Sequence, residues 1–177
     1  MREFHARQEE TSTRQAPEGE QGRILIVDDN EDVRHALGYL LQSFGFEAVQ
    51  AEGGRAALEA LKDSEFDVVL MDVMMPDMDG LAVCREMRKA PETEPLPVIL
   101  LTARDDLDCR IDAVTLGVAD FLVKPVVTRE LIPRLQTQVG ASRRMRRLDE
   151  LQKRLDRPEP EEPSGQRPLH SAEPRQP

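Results

Sequence analysis

Hydrophobic residues along this chain fall into two alternating patterns. Short apolar runs occupy residues 23–27, 68–71, 98–101 and 119–123, with a weaker strand-like run at 47–51. Between them, apolar residues recur three or four positions apart, at residues 33–44, 56–61, 80–89, about 106–116 and from about 128 onward. Short continuous runs are typical of strands buried on both faces, and the wider spacing is typical of amphipathic helices. The alternation predicts a βαβαβαβαβα order, which is an α/β fold with a parallel sheet between two layers of helices.

The two ends of the chain differ in composition from the middle. Residues 1–22 are polar and have no periodic apolar face, while residues 157–177 carry six prolines among charged and small residues. Such segments cannot bury enough apolar surface to fold, and dense proline prevents regular structure. We therefore predict a disordered N-terminal segment (1–22), one folded domain (23–140), a helical extension (141–156) and a disordered proline-rich tail (157–177).

Composition and charge exclude several classes of function. Aromatic residues make up 3% of the chain and Trp is absent, so the core must be aliphatic. The formal net charge is −10, and residues 23–140 alone hold 22 acids against 12 bases, which argues against nucleic-acid binding. No apolar run approaches the ~20 residues of a membrane span, and the polar residues at the start of the sequence lack the apolar core of a signal peptide. We expect a cytoplasmic protein that binds neither nucleic acid nor membrane.

Polar side chains follow four of the apolar runs, at the point where each run ends. Asp28 and Asp29 follow the run at 23–27, and Asp72 follows the run at 68–71. Thr102 follows the run at 98–101, and Lys124 follows the run at 119–123. Because the carboxyl ends of parallel strands meet at one edge of a sheet, we expect these side chains to converge there.

Three carboxylates brought together need a counter-charge, since otherwise one of them would hold a proton at neutral pH. All-oxygen ligands favour Mg²⁺ or Mn²⁺. An ammonium and a hydroxyl from Lys124 and Thr102 would neutralise a phosphoryl group carried on one of the acids. Asp72 is the best candidate for that carrier, since Asp28 and Asp29 suit the metal better.

A simpler interpretation exists for each single acid, because an Asp after a strand is commonly a helix N-cap or a turn residue. We assign that role to Asp32, Asp67 and Asp105. The same interpretation does not account for a doubled acid at one strand end together with Asp72, Thr102 and Lys124 at three others.

Four segments resemble the receiver domains of two-component response regulators. They are residues 24–30 (ILIVDDN), 72–80 (DVMMPDMDG), 101–103 (LTA) and 121–125 (FLVKP). The resemblance covers about residues 23–140. It implies a flavodoxin-like (βα)₅ doubly wound sheet with strand order 2-1-3-4-5. It also implies a sensor histidine kinase, or a histidine phosphotransfer protein, that donates a phosphoryl group to Asp72.

The same resemblance assigns the metal ligands. Mg²⁺ would be bound by Asp29, by Asp72 and by the backbone carbonyl of Met74, with Asp28 acting through water. Met74, two positions beyond the phosphoacceptor, and Arg104, two beyond Thr102, are bulky residues at places that influence attack by water on the acyl phosphate. We predict a phosphoryl lifetime longer than that of the fastest family members.

The resemblance also implies a conformational switch. Thr102 would move toward the phosphoryl group, and Phe121 would turn inward to fill the space that it leaves. Lys124 would bond the phosphoryl oxygens, and the Lys124–Pro125 peptide bond would be cis, an isomer that is accessible only before proline. Phe121 has a simpler role open to it as well, since an aromatic residue near a strand end is usually a core residue.

The predicted last helix continues well beyond the folded domain. Leu148, Leu151 and Leu155 fit an a/d/a heptad pattern, but fewer than two heptads are present. A solvated helix extension and a contact with a second copy or another partner both fit this pattern, so a homodimer through the C-terminal helix is one expectation.

Three functions fit these ingredients. The first is a stand-alone response regulator that is not an enzyme and that signals to an unidentified downstream protein by contact. The second is a Mg²⁺-dependent phosphohydrolase with an aspartyl-phosphate intermediate, but that class wants a second acid at the position of Met74 and a substrate-capping insertion. The third is a receiver that regulates an effector domain absent from this chain; the proline-rich end favours the first.

Overall fold

A computed structural model describes residues 22–102 and 107–156, and these form five strands and five helices in alternation. The strands are β1 (Arg23–Val27), β2 (Glu47–Ala51), β3 (Val68–Asp72), β4 (Val98–Thr102) and β5 (Asp120–Val123). The helices are α1 (Glu31–Ser43), α2 (Gly54–Asp63), α3 (Gly80–Met87), α4 (Leu107–Thr115) and α5 (Thr128–Leu155). The order of elements predicted from the hydrophobic pattern is confirmed.

All five strands are parallel and form one sheet in the order β2-β1-β3-β4-β5. Strand β3 is therefore the central strand, with β1 and β4 as its neighbours. The register pairs Val27 with Met71 and Asp72 with Leu101, so β1 and β4 each end within one residue of the central strand β3. The predicted flavodoxin-like fold and strand order are confirmed.

The core is aliphatic and lies in two layers, one on each face of the sheet. Alternate residues of the central strands point to opposite faces because the side-chain period of a strand is two. Leu25, Val69 and Leu100 pack with residues of α2 and α3, while the neighbouring Ile24, Leu70 and Ile99 pack with α1 and α5. Strands β1, β3 and β4 are thus covered on both sides, which explains why the sequence pattern identified them without ambiguity.

The helices that follow β1 and β3 begin with capped N-termini. The side chain of Asn30 accepts a hydrogen bond from the Val33 N–H at the start of α1, and that of Asp79 accepts one from the Ala82 N–H at the start of α3. Each cap satisfies a backbone donor that the helix leaves without a partner. The connection from β1 to α1 is three residues long, and that from β3 to α3 is seven.

Helix α5 is much longer than the sheet that it covers. Its 28 residues span about 42 Å at 1.5 Å per residue. The buried residues all lie in its first half, between Leu131 and Ser142, and the helix then continues past the sheet. Pro133 is the sixth residue of the helix, so its missing backbone N–H removes one intrahelical hydrogen bond near the start of α5.

The extension is attached to the sheet at a residue whose role was predicted wrongly. Asp67 lies immediately before β3, at the amino edge of the sheet, and only 4% of it is exposed. Its carboxylate accepts hydrogen bonds from the backbone N–H of Arg23 (2.9 Å) and from the side chains of Arg143 (3.2 Å) and Arg146 of α5. Asp67 is therefore the centre of a buried ion pair, not a helix cap.

Several predictions concern residues outside the described part of the chain. The predicted disordered segments lie there, apart from Gly22, whose carbonyl accepts a hydrogen bond from Glu47. Arg104 and Asp105 lie there too, and the division of α5 into domain and extension stays a prediction. Among residues 22–102 and 107–156, no helix combines the length and the hydrophobicity required to cross a lipid bilayer.

Candidate functional site

The carboxyl edge of the sheet gathers the acids that were singled out in the sequence. Asp28 follows β1 directly, and Asp72 is the last residue of β3. One carboxylate oxygen from each of Asp28, Asp29 and Asp72 lies within 4.8 Å of the other two. Asp28 and Asp72 are buried, with 1% and 6% of their surfaces exposed, whereas Asp29 is exposed. The cluster is therefore buried at Asp28 and Asp72 and open to solvent at Asp29.

Lys124 reaches this cluster from the end of β5. Its Nζ lies 2.9 Å from Oδ2 of Asp28 and 3.0 Å from Oδ1 of Asp72. The Lys124–Pro125 peptide bond is cis, the isomer that the resemblance implies. One ammonium therefore bridges two buried carboxylates that come from different strands.

Asp28 is held from several sides. Besides Lys124 on one carboxylate oxygen, the backbone N–H of Asn30 donates to the other at 2.9 Å. The side chain of Arg34 in α1 donates to the Asp28 carbonyl at 2.8 Å. Sequence analysis missed Arg34, since nothing in the pattern of α1 marks it as different from a solvent-exposed arginine. These contacts fix the orientation of the Asp28 carboxylate.

Burial and the ion pairs with Lys124 dominate the electrostatics of the cluster. Burial raises the pKa of Asp72, and the neighbouring charge of Asp28 raises it further, while hydrogen bonds from Lys124 and the Met74 backbone N–H oppose that rise. Burial alone would lower the pKa of Lys124, but the hydrogen bonds to Asp28 and Asp72 outweigh it, and the net shift is upward. Burial is thus the main cause of the pKa shift at Asp72, and the two carboxylate partners cause the shift at Lys124. Because two buried acids share one cation, additional positive charge at the cluster is favoured.

This imbalance is the test of whether a divalent cation fits the site. Three carboxylates against one ammonium leave an excess of negative charge, and every available donor is oxygen. Small hard cations such as Mg²⁺ prefer such ligands, and Mg²⁺ needs only one or two carboxylates because it retains several waters. The residues present therefore fit a Mg²⁺ ion.

The loop that leaves Asp72 is tightly packed. Gly80, at the start of α3, lies against the backbone of Asp72, and an added Cβ would come within 2.4 Å of the Asp72 carbonyl oxygen. The backbone N–H of Gly80 also donates to the Val73 carbonyl at 2.9 Å. Only glycine fits such an approach. Gly80 was part of the quoted motif, but its packing role could not be read from the pattern.

Asp77 in the same loop is a second residue that sequence analysis did not single out. Its carboxylate accepts hydrogen bonds from the backbone N–H groups of Gly54 (3.3 Å) and Arg55 (3.2 Å) at the start of α2. The hydrogen bond from Arg55 is the main reason why the pKa of Asp77 lies below its usual value. Asp77 thus caps α2 in place of Gly53, which has no side chain to do so. This contact attaches the loop that carries Met74 to α2.

The remaining predicted residues lie at the same edge. Thr102 ends β4 and is buried, and its carbonyl accepts a hydrogen bond from the Lys124 N–H at 2.9 Å. Phe121, in β5, is partly buried and packs against the core layer that contains α2 and α3. The side chain of Met74 is exposed. Their roles as switch pair and metal ligand stay predictions.

With this geometry established, comparison with known proteins identifies the family. Residues 24–136 match the response regulator receiver domain. The chain belongs to this family. Among curated relatives, the response regulator MprA of Mycolicibacterium vanbaalenii is 40% identical over 114 residues, which is 64% of this chain and 48% of that protein. MprA of Mycobacterium sp. strain KMS is also 40% identical over 114 residues, and 49% of it is covered. The chain spans about half the length of the curated relatives that it matches.

Solved structures share the receiver fold. The adenylate cyclase structure from Rhodopirellula baltica is 31% identical, with a TM-score of 0.69, over 75% of this chain and 98% of that one. The receiver domain of the sensor histidine kinase PA1611 from Pseudomonas aeruginosa is 30% identical, with a TM-score of 0.63, over 68% and 98% of the two chains. That structure has a magnesium ion coordinated in its active-site cleft. This chain is a receiver domain with an acidic cluster of the kind that binds Mg²⁺.

Proposed function

We propose that Asp72 accepts a phosphoryl group from the phosphohistidine of a sensor histidine kinase or of a histidine phosphotransfer protein. One observation carries this proposal: a buried carboxylate ends the central strand, 3.0 Å from an ammonium and grouped with two further acids. A carboxylate so placed is a suitable nucleophile for a covalent phosphoryl intermediate.

In this reaction a carboxylate oxygen of Asp72 forms a bond to phosphorus while the phosphorus–nitrogen bond of the donor breaks. The departing imidazole keeps the electron pair of that bond and takes up a proton. Asp72 must be ionised to react, and Lys124 favours that form because its ammonium lies beside the carboxylate. Lys124 then follows the new negative charge, donating to an oxygen of the transferred group instead of to the carboxylate.

A Mg²⁺ ion held by Asp29, by Asp72 and by the Met74 carbonyl, with Asp28 acting through water, would supply positive charge to the transferred oxygens. The contribution of this chain is to hold the ligands in place. Asp28 is oriented by Asn30 and Lys124, and the loop that carries Met74 is attached to α2 through Asp77.

The proposed output is a change in packing around β4 and β5. Thr102 lies at the end of β4 beside the site, and Phe121 lies in the neighbouring strand. A hydrogen bond from the Thr102 hydroxyl to a phosphoryl oxygen would draw Thr102 toward Asp72, and Phe121 would occupy the space left behind. The surface formed by α4, β5 and α5 would then differ between the two states and be recognised by a downstream protein.

Receiver domains are generally signalling modules rather than enzymes, and we propose that this one acts by protein contact within the cytoplasm. The matched residues span about half the length of the curated relatives, so action as a stand-alone regulator is part of the proposal.

Phosphorylation can be tested directly with the full chain, Mg²⁺ and a small phosphodonor such as acetyl phosphate, followed by intact mass spectrometry. The wild type should gain the mass of one phosphoryl group, and Asp72→Asn should gain none. Asp63→Asn is a matched control, because it changes an exposed carboxylate at the end of α2 that lies outside the acidic cluster, and it should still be labelled. Equal labelling of wild type and Asp72→Asn would contradict the proposal.

A further inference from the structure

The C-terminal half of α5 presents two different faces. Arg143 and Arg146 both reach Asp67 at the amino edge of the sheet, so their face of the helix is turned toward the domain. Met145, Leu148 and Leu155 are between 60 and 80% exposed. At about 100° per residue, the mean direction of these three side chains lies about 180° around the helix from the mean direction of the two arginines. The apolar stripe therefore points directly away from the domain to which the helix is clamped.

The stripe has the spacing of a coiled-coil seam that is longer than the leucines alone suggest. In a register that places Leu148 and Leu155 at d, instead of at a as in the register of the leucines alone, the d and a positions are Ala141, Met145, Leu148, Gln152 and Leu155, and Leu151 flanks the seam at g. This register covers two heptads, over about 22 Å of helix. All five residues belong to the single helix α5, and none of them is buried in the domain.

In the same register, two residues that flank the seam carry opposite charges. Arg144 occupies a g position and Asp149 the e position of the next heptad, and both are exposed. In a parallel pair of helices, g of one chain lies beside the following e of the other, so Arg144 would face Asp149 of a second copy, twice by symmetry. In an antiparallel pair, g would lie beside g and e beside e, so Arg144 would not face Asp149 of the second copy. Asp149 also pairs with Lys153 of its own helix, at 2.6 Å, and that exposed contact leaves a carboxylate oxygen available.

We propose that the α5 extension pairs in parallel with the same segment of a second copy of this chain, through the seam from Ala141 to Leu155. The clamp on Asp67 contributes by holding the base of the extension in helical form before association, which reduces the ordering cost of binding. Two heptads form a small interface, so the pairing is weak, reversible and dependent on concentration. The proposal does not rest on phosphorylation at Asp72.

Sedimentation velocity of the full chain over a range of concentrations, without a phosphodonor, tests the pairing. The wild type should pass from monomer to dimer as concentration rises. Leu148→Asp should raise the dissociation constant by about tenfold or more, because an apolar contact is lost and two like charges meet at the seam. Glu150→Gln is the matched control, since Glu150 lies on the opposite side of the helix, and it should leave association unchanged.

Charge reversal tests the orientation. Arg144→Asp should weaken association by a few-fold, as expected for an exposed ion pair, and the double variant Arg144→Asp with Asp149→Arg should recover most of it. A parallel seam also places Leu155 beside Leu155 of the second copy. The chain has two cysteines, Cys109 and the buried Cys84, and Cys109 is replaced by Ser so that it cannot cross-link. In this background Leu155→Cys should form a disulfide-linked dimer under mild oxidation, whereas Glu150→Cys should not.

A wild type that stays monomeric at every concentration would overturn the proposal. So would a Leu148→Asp variant that associates as the wild type does, or equal cross-linking of the Leu155→Cys and Glu150→Cys variants. Because no phosphodonor is present, these outcomes are independent of whether Asp72 accepts a phosphoryl group.

Discussion

Both edges of the sheet hold a buried aspartate, but the two are neutralised to different degrees. At the amino edge, Asp67 receives two guanidinium groups and a backbone N–H. At the carboxyl edge, Asp28 and Asp72 share the single ammonium of Lys124, and Asp29 adds a third negative charge. The negative charge at the amino edge is neutralised by groups of the protein itself, whereas the carboxyl edge keeps an excess of negative charge that favours cation binding.

This difference separates a structural site from a chemical one. Because two arginines of α5 neutralise its carboxylate, Asp67 stabilises the attachment of that helix and has no excess negative charge with which to bind a cation. Asp72 keeps a raised pKa because burial and a second acid outweigh its one cationic partner. Perturbed titration within an unbalanced cluster is characteristic of functional sites. The largest effects on stability are therefore expected at the amino edge, and the largest effects of ions at the carboxyl edge.

The largest expected change is the loss of stability in Asp67→Ala. The variant removes the acceptor of three hydrogen bonds and leaves the Arg23 N–H without its partner. Hydrogen bonds to a buried charge are worth about 1.5–3 kcal/mol. Both arginines are partly exposed, so in the variant water can replace part of their lost hydrogen bonding and lower the cost. We expect the free energy of unfolding to fall by about 2–3 kcal/mol, measured by urea denaturation.

Glu65→Gln is the matched control for that measurement. Glu65 also contacts Arg146, at 3.4 Å, but its side chain is 90% exposed. Exposed ion pairs contribute about 0–1 kcal/mol, so this variant should be close to the wild type. If Asp67→Ala were no less stable than Glu65→Gln, the view of the amino edge as a structural clamp would be wrong.

The second prediction concerns the response of the two edges to Mg²⁺. An ion that binds only the folded state at ten times its dissociation constant stabilises that state by about 1.4 kcal/mol. Thermal or urea unfolding should therefore show stabilisation of the wild type, and Asp29→Asn should lose most of it. Asp67→Asn should keep the full increment, starting from a lower stability, because its position lies at the other edge of the sheet. An equal loss of the Mg²⁺ response in both variants would remove the distinction between the edges.

The sequence predicted the carboxyl edge much better than the amino edge, and topology explains why. In a parallel sheet all strands end on the same side, so residues that follow apolar runs must meet, however far apart they are in the chain. Asp28, Asp72 and Lys124 could be assigned to one place on this ground alone. The cis peptide and the roles within the site came from family resemblance rather than from the hydrophobic pattern.

The partners of Asp67 had no comparable signal. Arg143 and Arg146 are 76 and 79 residues away, on a helix whose length and direction relative to the sheet decide the contact. Asp67 was assigned the local role of a helix N-cap or turn residue, and that assignment gave no indication of its ion pair with α5. Asp77 was overlooked for a similar reason, because its partners are backbone groups of another helix, which no side-chain pattern reveals.

The smallest expected effect is a change in the pH dependence of stability in Asp72→Asn. The pKa of Asp72 is raised in the folded protein, so between the unfolded value of 3.8 and the folded value the folded state binds more protons than the unfolded state. The free energy of unfolding therefore falls as pH rises through this interval. Asn cannot ionise, so the variant lacks this fall. It should gain stability relative to the wild type from acid to neutral pH, by a small amount because Lys124 offsets part of the burial cost.

Paired urea titrations of wild type and Asp72→Asn, at acid and neutral pH and with a chelator present, would measure this difference. The chelator matters because Mg²⁺ would favour the ionised wild type and conceal the effect. A variant whose relative stability stays constant across that range would show that Lys124 fully compensates Asp72. In that case the excess of negative charge at the carboxyl edge would reside on Asp28 and Asp29, and the contrast with Asp67 would have to be drawn from those two residues instead.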